Sequence, residues 1–130
     1  MRRADLQAFC LSLPGSEETF PFTPETSVFK VAGKMFALSR LTDRPLKVSL
    51  KCEPELAERL RATYSAVSPG YHLNKRHWNT VLLDGSISER GIKDMIEDSY
   101  DLVVSALPRS RRQELGWTSE HSGRDVPASP

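Results

Sequence analysis

Long hydrophobic runs are missing from this chain. No stretch approaches the roughly eighteen consecutive apolar residues of a bilayer crossing, and Arg2 and Arg3 are followed by Asp5 rather than by the apolar core of a secretory signal. The expectation is a soluble cytoplasmic protein with no membrane partner. Cysteine is scarce too: Cys10 falls in a helical apolar stripe and Cys52 at the end of an apparent strand, so both read as reduced thiols outside any disulfide framework. The three histidines offer little to a metal. His72 and His77 are five residues apart, a spacing that fits neither helical ligation nor alternate strand positions, and His121 stands alone near the end of the chain. No metal and no cofactor are expected.

Signatures of catalysis are equally sparse. Gly33-Lys34 is not a phosphate loop, because that pattern needs Gly where Val28 stands and Ser or Thr where Met35 stands. There is no GxSxG elbow and no dinucleotide fingerprint. Glu17 and Glu18 are adjacent, and on a strand adjacent side chains face opposite ways, which argues against a carboxylate pair sharing one substrate. Cys52 is the best candidate nucleophile, since Lys51 and a helix N-terminus would lower its pKa; the plainer reading is a buried structural thiol. No catalytic residue is assigned.

What is present is enough for one domain. A chain of 130 residues holds one core, and 38% hydrophobic with 27% charged residues is a globular composition. The net charge of +1 conceals a division. Segments 28–51 and 69–81 carry Lys30, Lys34, Arg40, Arg44, Lys47, Lys51, Lys75 and Arg76 against Asp43 alone, a net of +7 that leaves −6 for the rest. If those segments are neighbours in space, one face is cationic and attracts an anionic partner; otherwise the charges are simply solvated.

Leu6, Phe9, Cys10 and Leu13 fall at i, i+3, i+4 and i+7 and predict a helix over Ala4–Leu13, ended by Leu13-Pro14-Gly15. Strands are predicted at Ser27–Ala32, Met35–Arg40 and Leu46–Lys51, with Gly33-Lys34 as a hairpin turn, and a weaker one at Glu18–Phe22 that Pro21 confines to an edge. Leu46, Val48 and Leu50 should face a core and Lys47, Ser49 and Lys51 the other side. Phe29 with Val31, and Phe36 with Leu38, are the expected inward pairs, with Lys30 on the open face. Pro54 begins a second helix with Leu56, Leu60 and Tyr64 on one side. After a strand from His77 to Leu83, Ser86 and Glu89 form a capping-box pattern for a third helix with stripe Ile92, Met95, Ile96, Ser99 and Val103, stopped by Pro108. Residues 1–108 then make the domain and 109–130 a flexible tail, in which Leu115 and Trp117 could dock. Tight connections favour antiparallel pairing, hence a two-layer α+β sandwich with helices on one face of the sheet.

The densest chemistry lies in Pro69-Gly70-Tyr71-His72-Leu73-Asn74-Lys75-Arg76-His77-Trp78-Asn79-Thr80-Val81, where Tyr71–Trp78 holds cations, histidines, aromatics and an amide without one acid. Cations attract phosphates, Asn can read base edges, and rings can stack on bases. The plainer reading makes Tyr71 and Trp78 core or turn anchors among solvated charges.

That segment, with Leu13-Pro14-Gly15, Pro21-Phe22, Val28–Val31, Gly33–Leu38 and Leu50-Lys51-Cys52, resembles the MmcQ/YjbR family of bacterial proteins over roughly residues 1–108. Leu73 stands where that family often has Met, and Thr23 where it often has Gly. The resemblance implies a fold similar to secretion chaperones and frataxin, with order α-β(3)-α-β(2)-α, and DNA binding through paired hairpin wings. It points to Lys75, Arg76, His77, Trp78 and Asn79, with Lys30, Lys34, Lys47 and Lys51 on the neighbouring sheet. With Tyr71, His72 and Asn74 from the same motif, these are the expected nucleic-acid contacts. The competing expectation is a protein-interaction or chaperone-like adaptor that grips a partner through the open sheet face or the acidic surface of Glu97, Asp98 and Asp101. A sequence pI near 7.8 means that DNA binding must rely on a polarised face.

Overall fold

The computed structural model describes residues 1–71 and 73–116. The first apolar stripe forms α1 (Arg3–Ser12), burying Leu6 and Cys10, and Gly15, at φ 73°, turns the chain into β1 (Ser16–Thr19). There follow β2 (Thr26–Val31), β3 (Lys34–Arg40), β4 (Lys47–Lys51), α2 (Pro54–Thr63), β5 (Val67–Pro69), β6 (Trp78–Leu82), α3 (Glu89–Ser105) and α4 (Arg109–Glu114). Four strands thus precede α2, the weaker edge strand expected near Glu18 included, where the order that the resemblance implies has three. All six join one antiparallel sheet in the order β1-β2-β3-β4-β6-β5.

The helices cover one face. A single buried cluster unites Leu6 and Cys10 of α1, Phe29, Phe36, Val48, Leu50 and Val81 of the sheet, and Ile92, Ile96, Tyr100 and Val104 of α3. Phe36 meets Tyr100 edge to face, with ring centroids 5.4 Å apart. α2 lies on the same side, where the Ala57 carbonyl accepts from Asn79 Nδ2 of β6. This is the expected α+β sandwich with one open sheet face. No helix among the described residues is long and apolar enough to cross a membrane.

The local departures have physical causes. β1 begins two residues earlier than expected and stops before Phe20; it is an edge strand, as Pro21 required, and Phe20 and Phe22 lie exposed beyond it. The following turn forms without glycine: Thr26 N–H donates to the Thr23 carbonyl, and the two threonine hydroxyls are 2.9 Å apart. In the β2–β3 hairpin the turn residues are Ala32 and Gly33, both at positive φ (51° and 78°), while Lys34 already pairs with Val31 as the first residue of β3.

The largest departure is in β3. Phe29 pairs with Ala37 but Lys30 with Met35, so Phe36 is an extra residue, a β-bulge. Phe36 and Ala37 therefore both point into the core, and the alternation beyond them is reversed. Leu38, expected inward with Phe36, lies on the open face opposite Ser49. The bulge also interrupts the β3–β4 ladder, and Ser99 of α3 closes the gap: its hydroxyl donates to the Phe36 carbonyl (2.6 Å) and accepts from Lys51 N–H (2.9 Å). A serine read from its spacing as part of an apolar stripe is thus a fully buried splice between two strands.

At α3 the cap is Ser88, whose hydroxyl accepts from Gly91 N–H, and not Ser86, which bonds Asp84 instead. On α2, Ala57 is the fully buried contact, while Tyr64 sits past the last turn and is exposed. Beyond Pro108 the chain forms α4, and Leu115 packs on the core so tightly against Gly15 that a Cβ there would lie 2.3 Å from Leu115 Cδ2. The expectation for Trp117 and the remaining tail lies outside the described residues.

Candidate functional site

Strand pairing places the two cationic segments side by side, since β4 of the first pairs with β6 of the second. The open face is the side opposite the helices. One row of it runs Thr19, Val28, Leu38, Ser49, Thr80 and Ser68 from edge to edge. Near its middle is a depression of about 310 Å³ lined by Leu38, Arg40, Asp43, Lys47, Ser49, Tyr71 and Thr80. Leu38 supplies an apolar patch. Ser49 and Thr80 contribute hydroxyls 2.9 Å apart, and Arg40 and Lys47 come from the ends of β3 and β4 that meet here. Neither cation makes an ion pair within 4 Å among the described residues.

Tyr71 reaches this depression because of the residue before it. Gly70 N–H donates to the Trp78 carbonyl at 2.8 Å, and a Cβ on Gly70 would lie 2.7 Å from Trp78 Cβ, so only glycine permits the approach. The next amide, Tyr71 N–H, donates to Thr80 Oγ1. The Tyr71 side chain, 61% exposed, is thereby set at the rim.

The rest of the motif divides. Asn74 Oδ1 accepts from Arg76 N–H as a turn former, and Lys75 Nζ folds back onto the Gly70 carbonyl, although both residues are exposed with Arg76 on the same loop. His77 is half-buried with both backbone groups engaged, to Asn74 and Cys52. Trp78 is 9% exposed against Gly70. Asn79 is buried on the helix side and bonds α2, so it is a structural residue and presents nothing to a base edge. His72 lies outside the described residues. Among the cations, Lys47 lines the depression, whereas Lys30, Lys34 and Lys51 gather toward the opposite end of the strands, with Lys30 across from Glu17 and Lys51 from Trp78. The expected contacts therefore form no single patch. The structure adds Arg40, Leu38, Asp43, Ser49 and Thr80; of these Arg40 was legible as part of the cationic segment, Ser49 as an outward residue of its strand and Thr80 as part of the motif, whereas Leu38 was expected inward.

Cys52 does not have the lowered pKa that Lys51 and the start of α2 suggested. Burial pushes its thiol up to about 11, with Asp98 and Glu53 adding to the effect, and burial takes Cys10 to about 12. The cavity that Cys52 shares with Asn79 and Asp98 measures about 20 Å³, room for one water. Because the folded state holds both thiol protons more tightly than the unfolded chain, stability is fully present below pH 9 and is lost as pH rises from 9 toward about 11 for Cys52 and about 12 for Cys10. Urea midpoints measured across that range should fall, and Cys52→Ala should flatten part of the decline; an unchanged midpoint would overturn the assignment. Among the described residues no three His, Cys, Asp or Glu side chains are grouped so as to hold a metal ion.

Fold and surface together define a small α+β domain with its helices on one face of the sheet and a depression flanked by Arg40 and Lys47 on the other. The chain belongs to the YjbR family, whose model matches residues 11–102. It is 38% identical over 115 residues to uncharacterized protein YjbR of Escherichia coli K12, covering 88% of this chain and 98% of that protein. It is 40% identical over 105 residues to YbdF of Escherichia coli O157:H7, covering 81% and 86%. The crystal structure of a Deinococcus radiodurans protein with a DUF419 domain superposes with a TM-score of 0.85 at 43% identity, over 90% of this chain and 89% of that one.

Proposed function

We propose that this protein binds nucleic acid through the open face of its sheet. The observation that carries the proposal is the gathering of Arg40, Lys47 and the exposed ring of Tyr71 around one depression on a face that none of the described helices covers. In the opposite layer α3 disfavours the same partner: it carries Glu89, Asp94, Glu97, Asp98 and Asp101 against Arg90 and Lys93, a net of −3. An anionic strand is thus steered to the sheet. The Lys75–Arg76 loop, Lys30 and Lys51 extend the cationic surface away from the depression and supply contacts to flanking phosphates, while Lys34, opposite Val31, sits at the hairpin end.

The test is fluorescence anisotropy of a labelled single strand and a labelled duplex with wild type and with Arg40→Glu/Lys47→Glu. At about 50 mM salt the double variant should bind at least about tenfold more weakly, and its log-log salt slope for single strands should be shallower by roughly 1.4, or 0.7 for each lost phosphate contact. Circular dichroism would verify the fold. Failure of both strand forms to bind wild type at low salt would overturn the proposal. It would leave the adaptor reading, which is favoured by Phe20 and Phe22, exposed beside edge strand β1 with Thr23 and Pro24.

A further inference from the structure

We infer that the depression on the open face is a pocket for one nucleoside phosphate unit, a planar heteroaromatic ring that carries a phosphate, and that it takes that unit unpaired. This rests on the nucleic-acid reading and gives its site a definite substrate class.

The size fits. A volume of about 310 Å³ is at the lower end of the range of small-molecule pockets, roughly 300–1,000 Å³. It is too small for a folded macromolecular element and suited to one nucleotide. The chemistry of the lining is also divided as a nucleotide is. Arg40 offers a planar fork of donors and Lys47 a point charge, a pair suited to phosphate oxygens. Tyr71 presents a ring at the rim on which a base can stack. Leu38 provides an apolar surface, and Asp43 an acceptor for the amino or hydroxyl hydrogens of a base or sugar. The hydroxyls of Ser49 and Thr80 lie between these groups.

The pocket is built rather than incidental. Tyr71 is set by two consecutive backbone bonds, Gly70 N–H to the Trp78 carbonyl and Tyr71 N–H to Thr80 Oγ1, at 2.8 and 3.1 Å. Leu38 reaches the open face because the bulge at Phe36 reverses the alternation of β3. A base paired and stacked within a duplex has no free face to offer Tyr71, so the inference requires a preference for single strands or free nucleotides over duplex.

The experiment is a titration of the full chain, followed by amide chemical shifts and calorimetry, with adenosine monophosphate, adenosine and inorganic phosphate as separate probes. Wild type, Tyr71→Phe, Tyr71→Ala and Arg40→Gln are compared after each is shown to be folded. Adenosine monophosphate should shift the amides of Leu38, Ser49, Thr80 and Tyr71 and bind at least about tenfold more tightly than either fragment. Tyr71→Ala should weaken it about tenfold while Tyr71→Phe keeps it, the size of one lost base-stacking contact. Binding of the nucleotide with no binding of a labelled single strand would mark free nucleotide as the natural source; binding of both would mark a strand; each supports the pocket. If the single strand binds with strong salt dependence while the nucleotide leaves those amides unmoved and Tyr71→Ala has no effect, the pocket is overturned and the cationic face stands. If neither strand nor nucleotide binds, both readings fall.

Discussion

Replacing Ser99 with alanine is expected to cost about 2–5 kcal/mol, roughly 10 °C in unfolding midpoint, without exposing any new surface. The hydroxyl is the hydrogen-bond partner of two backbone groups at once, the Phe36 carbonyl and the Lys51 amide, at a point where the bulge keeps the β3 and β4 backbones from pairing with each other. Ser99 is fully buried, so bulk water does not replace it, and each orphaned group bears a desolvation cost of about 1–3 kcal/mol. Ser105→Ala is the control: it removes an exposed hydroxyl from the same helix and should change stability by less than about 0.5 kcal/mol. Urea denaturation measures both, and hydrogen exchange of the Lys51 amide localises the damage. A Ser99→Ala protein as stable as the control variant would show that the strands repair the gap themselves. The effect should extend to function, because Leu38 and Arg40 lie on the open face only while the bulge keeps its position.

Gly70→Ala should be the second severe substitution, although Gly70 has no positive φ to protect. The added methyl would meet Trp78 Cβ at 2.7 Å and the Trp78 carbonyl oxygen at 3.0 Å; neither atom is the free end of a side chain, so the backbones of the loop and β6 must part. Overpacking of this kind costs about 1–3 kcal/mol and the strained Gly70–Trp78 hydrogen bond about 1 more, against a gain of about 0.4–1 kcal/mol from a stiffer unfolded chain. A net loss of about 2–3 kcal/mol is expected by thermal or urea unfolding. Binding should suffer even where the protein remains folded, since Tyr71 is positioned by this contact and the next amide. Tyr71→Ala separates the two effects: it should weaken nucleotide binding while costing less stability than Gly70→Ala, because its side chain is 61% exposed. A Gly70→Ala protein with wild-type stability would mean that the loop shifts without resistance.

The legible parts of the fold were those where periodicity and burial agree within one segment. Leu6 and Cys10 on α1 and Val48 and Leu50 on β4 needed no partner to be assigned, because a helix or strand exposed on one side sorts its own side chains. β3 shows where that logic stops. Phe36 and Leu38 alternate as an inward pair should, yet Ala37, small enough to pass as a spacer, is also in the core. The bulge that admits it is stabilised by Ser99, 63 residues away, and no local pattern announces a partner at that distance. At α3 the capping-box pattern pointed to Ser86, yet the cap is Ser88, while the hydroxyl of Ser86 is taken up by Asp84.

The candidate site follows the same division. The family and the two cationic segments were readable in the linear order, since charge and motif are properties of composition. Which residues of the Pro69–Val81 motif meet solvent was not, because adjacent residues on β6 point to opposite sides of the sheet: Thr80 faces the open depression while Asn79 turns inward to α2. Arg40, Lys47 and Tyr71 come from β3, β4 and the loop after β5, and their meeting depends on strand order, the bulge and the close approach at Gly70. Local propensity and amphipathic spacing act within a few residues, so they set the elements. The site is a product of pairing across the sheet, an interaction between segments that no single segment encodes.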